Sequence, residues 1–463
     1  MIVAFSQQEL SKIFSQEVFR DVSDLCVNSN EAKAGDLFVA LKGEKVDGHC
    51  FVAHALENDA ELAIVEKDKN LDEICEDRLI KVESSGAALR QLAKYNIERS
   101  KAKYVSITGS VGKTTTRDMM RHVLEQNFED PNLIYASRKN FNSQIGLPIC
   151  AAVMPNNVKI GIFEMGMSSS GDIAKLLDIA PPSISVITSI GEAHLKFFNS
   201  HREIALAKAE IFATKIPQEV AIIPADSPYT DFLRAKAKEC DIRNIFSFGS
   251  PKSDAQVVSC DYMDEDNISV AAKILNEKVQ YSMRCVNDAC VLNSVLAILA
   301  AHVVSQIPLQ KLAEALASFR SSPHRGESIF MKNRDLVLID DSYNASPKSM
   351  RSAIQSLSKY KRRRKILVLG DMLELGDSEI YHHENLSATV DKFGIDLLFA
   401  CGPLSKFLLN NLSGNGRGRW CENSSEIAEE LLKEVQDGDC ILVKGSRAMK
   451  MEHVVDVLMK NMD

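Results

Sequence analysis

The most evident chemistry lies in one stretch, Thr108-Gly109-Ser110-Val111-Gly112-Lys113-Thr114-Thr115. Glycines let backbone N–H groups close around phosphate oxygens, and a helix that opens there adds a partial positive charge. Gly109, Ser110, Val111 and Gly112 would form such a loop. Lys113 would reach the terminal phosphates, and the hydroxyl of Thr114 or Thr115 would bind Mg²⁺. Two residues separate the glycines, whereas the standard phosphate loop has four. The apolar run Tyr104-Val105-Ser106-Ile107 precedes the stretch, and Met119, Met120, Val123 and Leu124 follow at helical spacing. A chance lysine in a strand-to-helix turn would not bring all of these together.

Three further residues could serve a bound nucleotide. Glu164 ends the apolar run Ile160–Phe163, where a carboxylate would be placed to hold a metal. Taken alone, an exposed strand-end acid is the commoner meaning. His194 lies in Gly191-Glu192-Ala193-His194-Leu195, beyond the run Ile184–Ile187, and offers an imidazole ligand or a phosphate contact. Alone, it reads as a satisfied loop histidine. Lys208 stands in the largely apolar Ala205-Leu206-Ala207-Lys208-Ala209. It is either a costly buried ammonium or a snorkelling surface lysine, and periodicity does not separate the two.

These residues need α/β elements to position them. Short apolar runs at 104–107, 160–163, 184–187 and 220–223 alternate with helical patterns, which indicates a parallel sheet. A second such series, 336–339, 366–369, 397–400 and 440–443, predicts a smaller doubly wound domain. Before residue 102 a strand is expected within Gly35–Gly43, and a helix carries Ala88, Leu89, Leu92 and Ala93. The expected division is 1–102, 103–320 and 321–463.

With 463 residues, 45% apolar and 25% charged, the chain is ordinary globular material, which excludes disorder and coiled coil as its main architecture. A net charge of −8 argues against non-specific nucleic-acid binding. The longest apolar run, Val295–Val304, is about half of the ~20 residues that a membrane helix needs. Met1–Ser6 lacks the basic start of a signal peptide, so the cytoplasm is the expected location. The eleven cysteines include no Cys-x-x-Cys and read as scattered reduced thiols. Lys361–Lys365 reads as a solvated helix-to-strand connection, Tyr381–Glu384 as a surface or substrate-loop segment, and Trp420 as no base-stacking platform.

Taken together, the sequence resembles the Mur ligases, ATP-dependent enzymes of peptidoglycan synthesis, from Gly35 to about Val454. The resemblance is carried by Gly35–Gly43 with Asp47-Gly48-His49, the short phosphate loop, Asn140-Phe141-Asn142 with Ile145–Pro148, Glu164-Met165-Gly166, Ile190–Leu195 and Ala207–Ile211. Later stretches are Asp340-Asp341-Ser342-Tyr343-Asn344-Ala345, Gly370-Asp371-Met372-Leu373-Glu374-Leu375-Gly376 and Val443-Lys444-Gly445-Ser446-Arg447. It implies an α/β fold of three domains: an N-terminal UDP-substrate domain, a central P-loop-type parallel-sheet ATPase domain and a C-terminal Rossmann-like domain. The 340–345 and 370–376 stretches point to the branch that adds D-alanyl-D-alanine to a UDP-N-acetylmuramoyl-tripeptide. The single-amino-acid-adding branch, a folylpolyglutamate-synthetase-like ligase and an inactive nucleotide-binding homologue are the alternatives. The resemblance further implies that residues 109–115 hold ATP and that Thr114 or Thr115, Glu164 and His194 surround Mg²⁺. Lys208 would match a lysine carried as a metal-binding carbamate. Asn293 and Arg325 would be nucleotide-side contacts, Asp341 an acid near the ribose or phosphates, and Asn344 would lie near the dipeptide. Lys113, Glu164, His194 and Lys208 form the implied catalytic set, and a monomer without nucleic-acid or membrane partners is expected.

The chain departs from the family pattern at Asn28-Ser29-Asn30, where an acid and an arginine are usual. Ser143-Gln144, Thr188-Ser189 and Pro224-Ala225-Asp226 also differ, as does Asn287-Asp288-Ala289-Cys290, a region expected to contact adenine. None of these touches the lysines, glutamate or histidine of the catalytic set.

Overall fold

Strands form where β-branched and large apolar residues are bounded by turn residues. The computed structural model describes residues 4–43, 45–71, 73–192, 195–198, 200–264, 267–284, 287–331, 333–361, 363–414 and 418–462. These fall into two units: Met1–Ile107 with Phe128–Ser185 and Glu210–Glu219, and Thr108–Asn127 with Val186–Ala209 and Val220–Asp463.

The first unit begins with four parallel strands, β1 (Asp24–Cys26), β2 (Asp36–Val39), β3 (Leu62–Glu66) and β4 (Leu79–Val82), paired in that order. The expected 35–43 strand is β2, and all four of its residues are buried. The helix Ser85–Arg99 is started by the Ser84 side chain, which accepts from the Ala87 N–H. It buries Ala88, Leu89, Leu92 and Ala93, as their spacing predicts. A second parallel run contains β5 (Lys103–Thr108), β6 (Ile134–Ala136) and β7 (Ile160–Glu164), in the order β5-β7-β6. β8 (Ile184–Ile187) is wholly buried.

In the second unit β9 (Val220–Pro224), β10 (Asn244–Phe248) and the start of β11 (Ala255–Tyr262) pair in parallel. β12 (Asn267–Ile274) and β13 (Glu277–Arg284) then continue β11 as an antiparallel meander. This meander departs from the all-parallel expectation. β12 alternates buried with half-buried residues and β13 buried with exposed ones, as a sheet with one wet face does.

The C-terminal sheet contains β14 (Glu327–Phe330), β15 (Val337–Asp341), β16 (Arg364–Gly370), β17 (Leu397–Cys401), β18 (Gly418–Cys421) and β19 (Asp439–Lys444). Their order is β14-β15-β19-β16-β17-β18, parallel except for the edge pair β14–β15. One face packs Met350, Ile354, Leu357 and Leu386, and the other Ile427, Leu431, Val454 and Leu458, so helices cover both faces.

The apolar segment around 295–304 is longer than its sequence suggests. It belongs to an 18-residue helix, Asp288–Ser305, which by length and composition could cross a membrane. Here it packs against the helix Lys113–Glu125 and against β11 and β12. In its last turn His302 Nδ1 bonds the Ile307 carbonyl at 2.8 Å.

Candidate active site

The phosphate-loop stretch connects β5 to the helix Lys113–Glu125, and its two glycines adopt φ of +151° and +91°. Both approach neighbours too closely for a side chain. A Cβ on Gly109 would lie 1.9 Å from Thr188 Oγ1, and one on Gly112 would lie 2.7 Å from Asn293 Oδ1. The loop is fastened by the residues after β8. Ser110 N–H donates to the Ser189 carbonyl (3.0 Å), Val111 N–H to Ser189 Oγ (2.9 Å), and Thr188 Oγ1 donates to the Val111 carbonyl (2.6 Å). Gly191 N–H donates to Ser110 Oγ at 2.9 Å. Thr188-Ser189, a departure from the family pattern, thus supplies the loop's anchors.

The amides of Ser110 and Val111 are therefore turned inward to protein acceptors. The start of the helix is what remains for an anion. Gly112 occupies the N-cap position, and no side chain caps this end. Lys113 lies back over the loop, with Nζ donating to the Gly109 carbonyl at 2.8 Å. Thr114 is buried and Thr115 half-buried.

Lys208 settles the choice that periodicity left open. It is 1% exposed, and no described acid pairs with it. Burial drives its amine well below the ordinary lysine range, and the Lys113 ammonium adds to that effect. Both effects favour the uncharged amine over the ammonium.

In the first unit Glu164 ends β7, opposite Ile107 in register and 2% exposed, so it is not the exposed strand-end acid. Asn142 Nδ2 donates to Glu164 Oε1 at 2.7 Å, and Glu164 N–H donates to Ser137 Oγ at 3.1 Å. Gly166 N–H donates to the Asn142 carbonyl at 2.7 Å. The Asn140-Phe141-Asn142 stretch, quoted above only as a family mark, thus orients the carboxylate. His194 lies outside the described residues. Beyond it, Lys196 N–H donates to the Glu374 carbonyl at 3.1 Å.

Asn293 lies in the helix Asp288–Ser305, with its amide against Gly112. The 287–290 departure has a structural use. Asn287 caps this helix, its Oδ1 accepting from Cys290 N–H at 2.7 Å, and Asp288 pairs with Lys359 at 2.6 Å. Arg325 stacks 3.8 Å above the Tyr343 ring, and Arg447 lies 5.6 Å from the same ring. Asp341 pairs with Lys444 at 2.8 Å, yet burial still pushes its carboxyl above the usual range. Asp340 is engaged by His324 Nδ1 (2.7 Å) and Ser342 Oγ (2.6 Å).

The remaining candidates resolve structurally. His383 is buried rather than on the surface: its Nε2 accepts from Met372 N–H at 2.9 Å, while Nδ1 donates to the Glu379 carbonyl at 2.7 Å. Its neutral form is held by burial, which lowers its pKa. Asp371 accepts from the N–H groups of Leu404 (3.1 Å) and Ser405 (2.7 Å). In the basic run, Arg363 pairs with Asp335 and Arg364 with Asp439, while Arg362 lies outside the described residues. Trp420 Nε1 donates to the Gly402 carbonyl. Among the described cysteines none forms a disulfide.

Comparison with known proteins matches residues 21–107 to the Mur ligase family, catalytic domain; 107–301 to the Mur ligase middle domain; and 324–447 to the Mur ligase, glutamate ligase domain. The UDP-N-acetylmuramoyl-tripeptide–D-alanyl-D-alanine ligase of Rickettsia prowazekii is 33% identical over 430 residues, covering 93% of either chain. A crystal structure of MurF from Acinetobacter baumannii superposes with a TM-score of 0.86 at 26% identity, covering 99% of both chains. MurF from Thermotoga maritima in complex with ADP gives 0.79 at 28% identity, covering 95% of this chain and 98% of that one.

Proposed function

The chain belongs to the Mur ligase family, and from that premise we propose that it joins D-alanyl-D-alanine to the terminal carboxylate of UDP-N-acetylmuramoyl-tripeptide, with ATP converted to ADP and phosphate. The observation that carries this reading is similarity to ligases of that name along nearly the whole chain, all three family domains included. The proposed domain division is 1–102, 103–320 and 321–463, and the enzyme acts as a cytoplasmic monomer. In the 287–290 stretch that departs from the family pattern, Asn287 caps a helix and Asp288 pairs with Lys359.

A carboxylate does not acylate an amine at neutral pH, because its leaving group is poor. In the first step a carboxylate oxygen of the tripeptide attacks the γ-phosphorus. The bond to the β–γ bridging oxygen breaks, and ADP leaves an acyl phosphate. Both reactants are anions, so catalysis rests on positive charge placed in advance. Lys113 and the uncapped helix start supply it. In the second step the neutral amine of the dipeptide attacks the acyl carbon. The carbon–oxygen bond to phosphate breaks, and the amine's proton leaves with phosphate or a base.

The oxygens of Thr114, Thr115 and Glu164 suit Mg²⁺, which prefers hard oxygen ligands and a few carboxylates with phosphates and water. Thr114 or Thr115, Glu164 and His194 would hold it, and when bound it would add charge against the terminal phosphates. Glu164 fits this role as a buried carboxylate oriented by a neutral amide. Asn293, Arg325 and Asp341 complete the nucleotide contacts. Lys208 is suited to carry a carbamate: burial favours the uncharged amine, the form that adds CO₂ with formation of a nitrogen–carbon bond and release of a proton. Nearby Lys113, which disfavours an ammonium there, would favour the resulting anion.

The test is substrate-dependent phosphate release. Release should require D-alanyl-D-alanine, fail with single amino acids, and be abolished in a folded Lys113→Ala variant. Equal release with free amino acids would assign the chain to another branch.

A further inference from the structure

Lys444 ends β19, a strand buried at every position, and its side chain is 3% exposed. A lysine there is costly unless its ammonium is fully engaged. Its Nζ lies 2.8 Å from Asp341 Oδ2, 2.8 Å from the Asn344 carbonyl and 3.4 Å from the Asp341 carbonyl. Two acceptors belong to Asp341, the last residue of β15, and the third to Asn344 in the turn that follows, so the ammonium ties the turn to the strand end.

The location matters because of the sheet order. β19 is inserted between β15 and β16, and Asp341 stands opposite Lys444 in register. From β15 the chain leaves through the helix Pro347–Leu357, packed on one face. From β19 it leaves through the helix Glu452–Met462, packed on the other. The carboxyl ends of β15 and β19 therefore flank a point where crossovers diverge, and open α/β sheets bind ligands outside such a point. The clamped turn carries Tyr343, on which Arg325 stacks and beside which Arg447 lies. Tyr343 N–H is also tied to the His324 carbonyl at 3.0 Å, one residue before Arg325.

We propose that Lys444 is a positioning residue for nucleotide binding: it touches no ligand itself but holds the 341–344 turn so that Asp341 and the Arg325–Tyr343 stack face the nucleotide. The assignment rests on the ligase reading for its ligand. A guanidinium is a poor replacement, because a planar fork cannot point one compact charge at these three oxygens.

The experiment measures ADP affinity by calorimetry on the full chain, for wild type, Lys444→Met and Lys444→Arg. UDP-N-acetylmuramoyl-tripeptide affinity is measured on the same samples. The expected result is a cooperative melt for each variant, ADP affinity at least tenfold weaker in Lys444→Met and not restored in Lys444→Arg, and unchanged affinity for the UDP precursor. A folded Lys444→Met that binds ADP as wild type does would overturn the proposal, as would full rescue by arginine or equal weakening for both ligands. If Lys444→Met does not fold, Lys444→Gln takes its place, and failure of both to fold would mark the lysine as structural only. No turnover is needed, so a wild type that binds ADP yet does not ligate the dipeptide would refute the ligase reading and leave this result standing.

Discussion

Gly112→Ala is the substitution whose consequence can be worked most fully from the geometry. At φ +91° an L-residue occupies the left-handed region, at about 1–2 kcal/mol. The new methyl would also lie 2.7 Å from Asn293 Oδ1 and 3.3 Å from its Cγ and Nδ2. The amide is the end of a side chain and can swing away, at about 0.5–1.5 kcal/mol for an off-rotamer arrangement. The sum is about 1.5–3.5 kcal/mol, or a melting-point loss of about 3–14 °C for a domain of about 200 residues. Displacing Asn293 should also weaken ADP binding. The double variant Gly112→Ala/Asn293→Ala separates the terms: the clash disappears, the backbone cost stays, and about 1 kcal/mol should be regained relative to additivity. Thermal melts and ADP titrations of the four proteins form the assay. A Gly112→Ala protein that melts within a degree of wild type and binds ADP normally would refute the loop geometry argued above.

Two further outcomes follow from buried titratable groups. Lys208→Met replaces a buried amine that no described acid pairs by an apolar chain of similar length, so it should raise the melting temperature by a few degrees while abolishing turnover; a variant both active and destabilised would contradict the reading of Lys208. His383 is held neutral, with its pKa below the ordinary 6.5, so the unfolded chain binds a proton first as pH falls. Stability should therefore decline as pH drops from 7.5 through 6.5 and level off below the folded pKa, and His383→Gln should lose that part of the slope in pH-dependent melts.

Much of the site could be read from local pattern because its chemistry sits where strands end. The Gly-Lys-Thr turn, Glu164 after Phe163 and Lys208 among alanines each carry a signal within a few residues. What could not be read depends on partners distant in the chain. Ser189 bonds Val111 from 78 residues away, and Lys444 reaches Asn344 across 100. Only pairing of the strands brings such residues together. Asn142 and Lys444 stood inside family stretches without a role, because a supporting residue looks like any other polar one until its acceptor is known. The β11–β13 meander had a usable signal in the alternation Ile268, Val270, Ala272, Ile274. That alternation differs from the continuous apolar runs that mark parallel strands. The helix Asp288–Ser305 was foreshortened because its first turns mix small and polar residues whose burial comes from packing.

The central claim is that a peptide carboxylate is activated as an acyl phosphate and then captured by D-alanyl-D-alanine. It is tested most directly by labelling both oxygens of the tripeptide's terminal carboxylate with ¹⁸O and analysing the released phosphate by mass spectrometry. The account predicts one labelled oxygen in each phosphate, released in step with a product heavier by the dipeptide. Phosphate free of label alongside that product would contradict it.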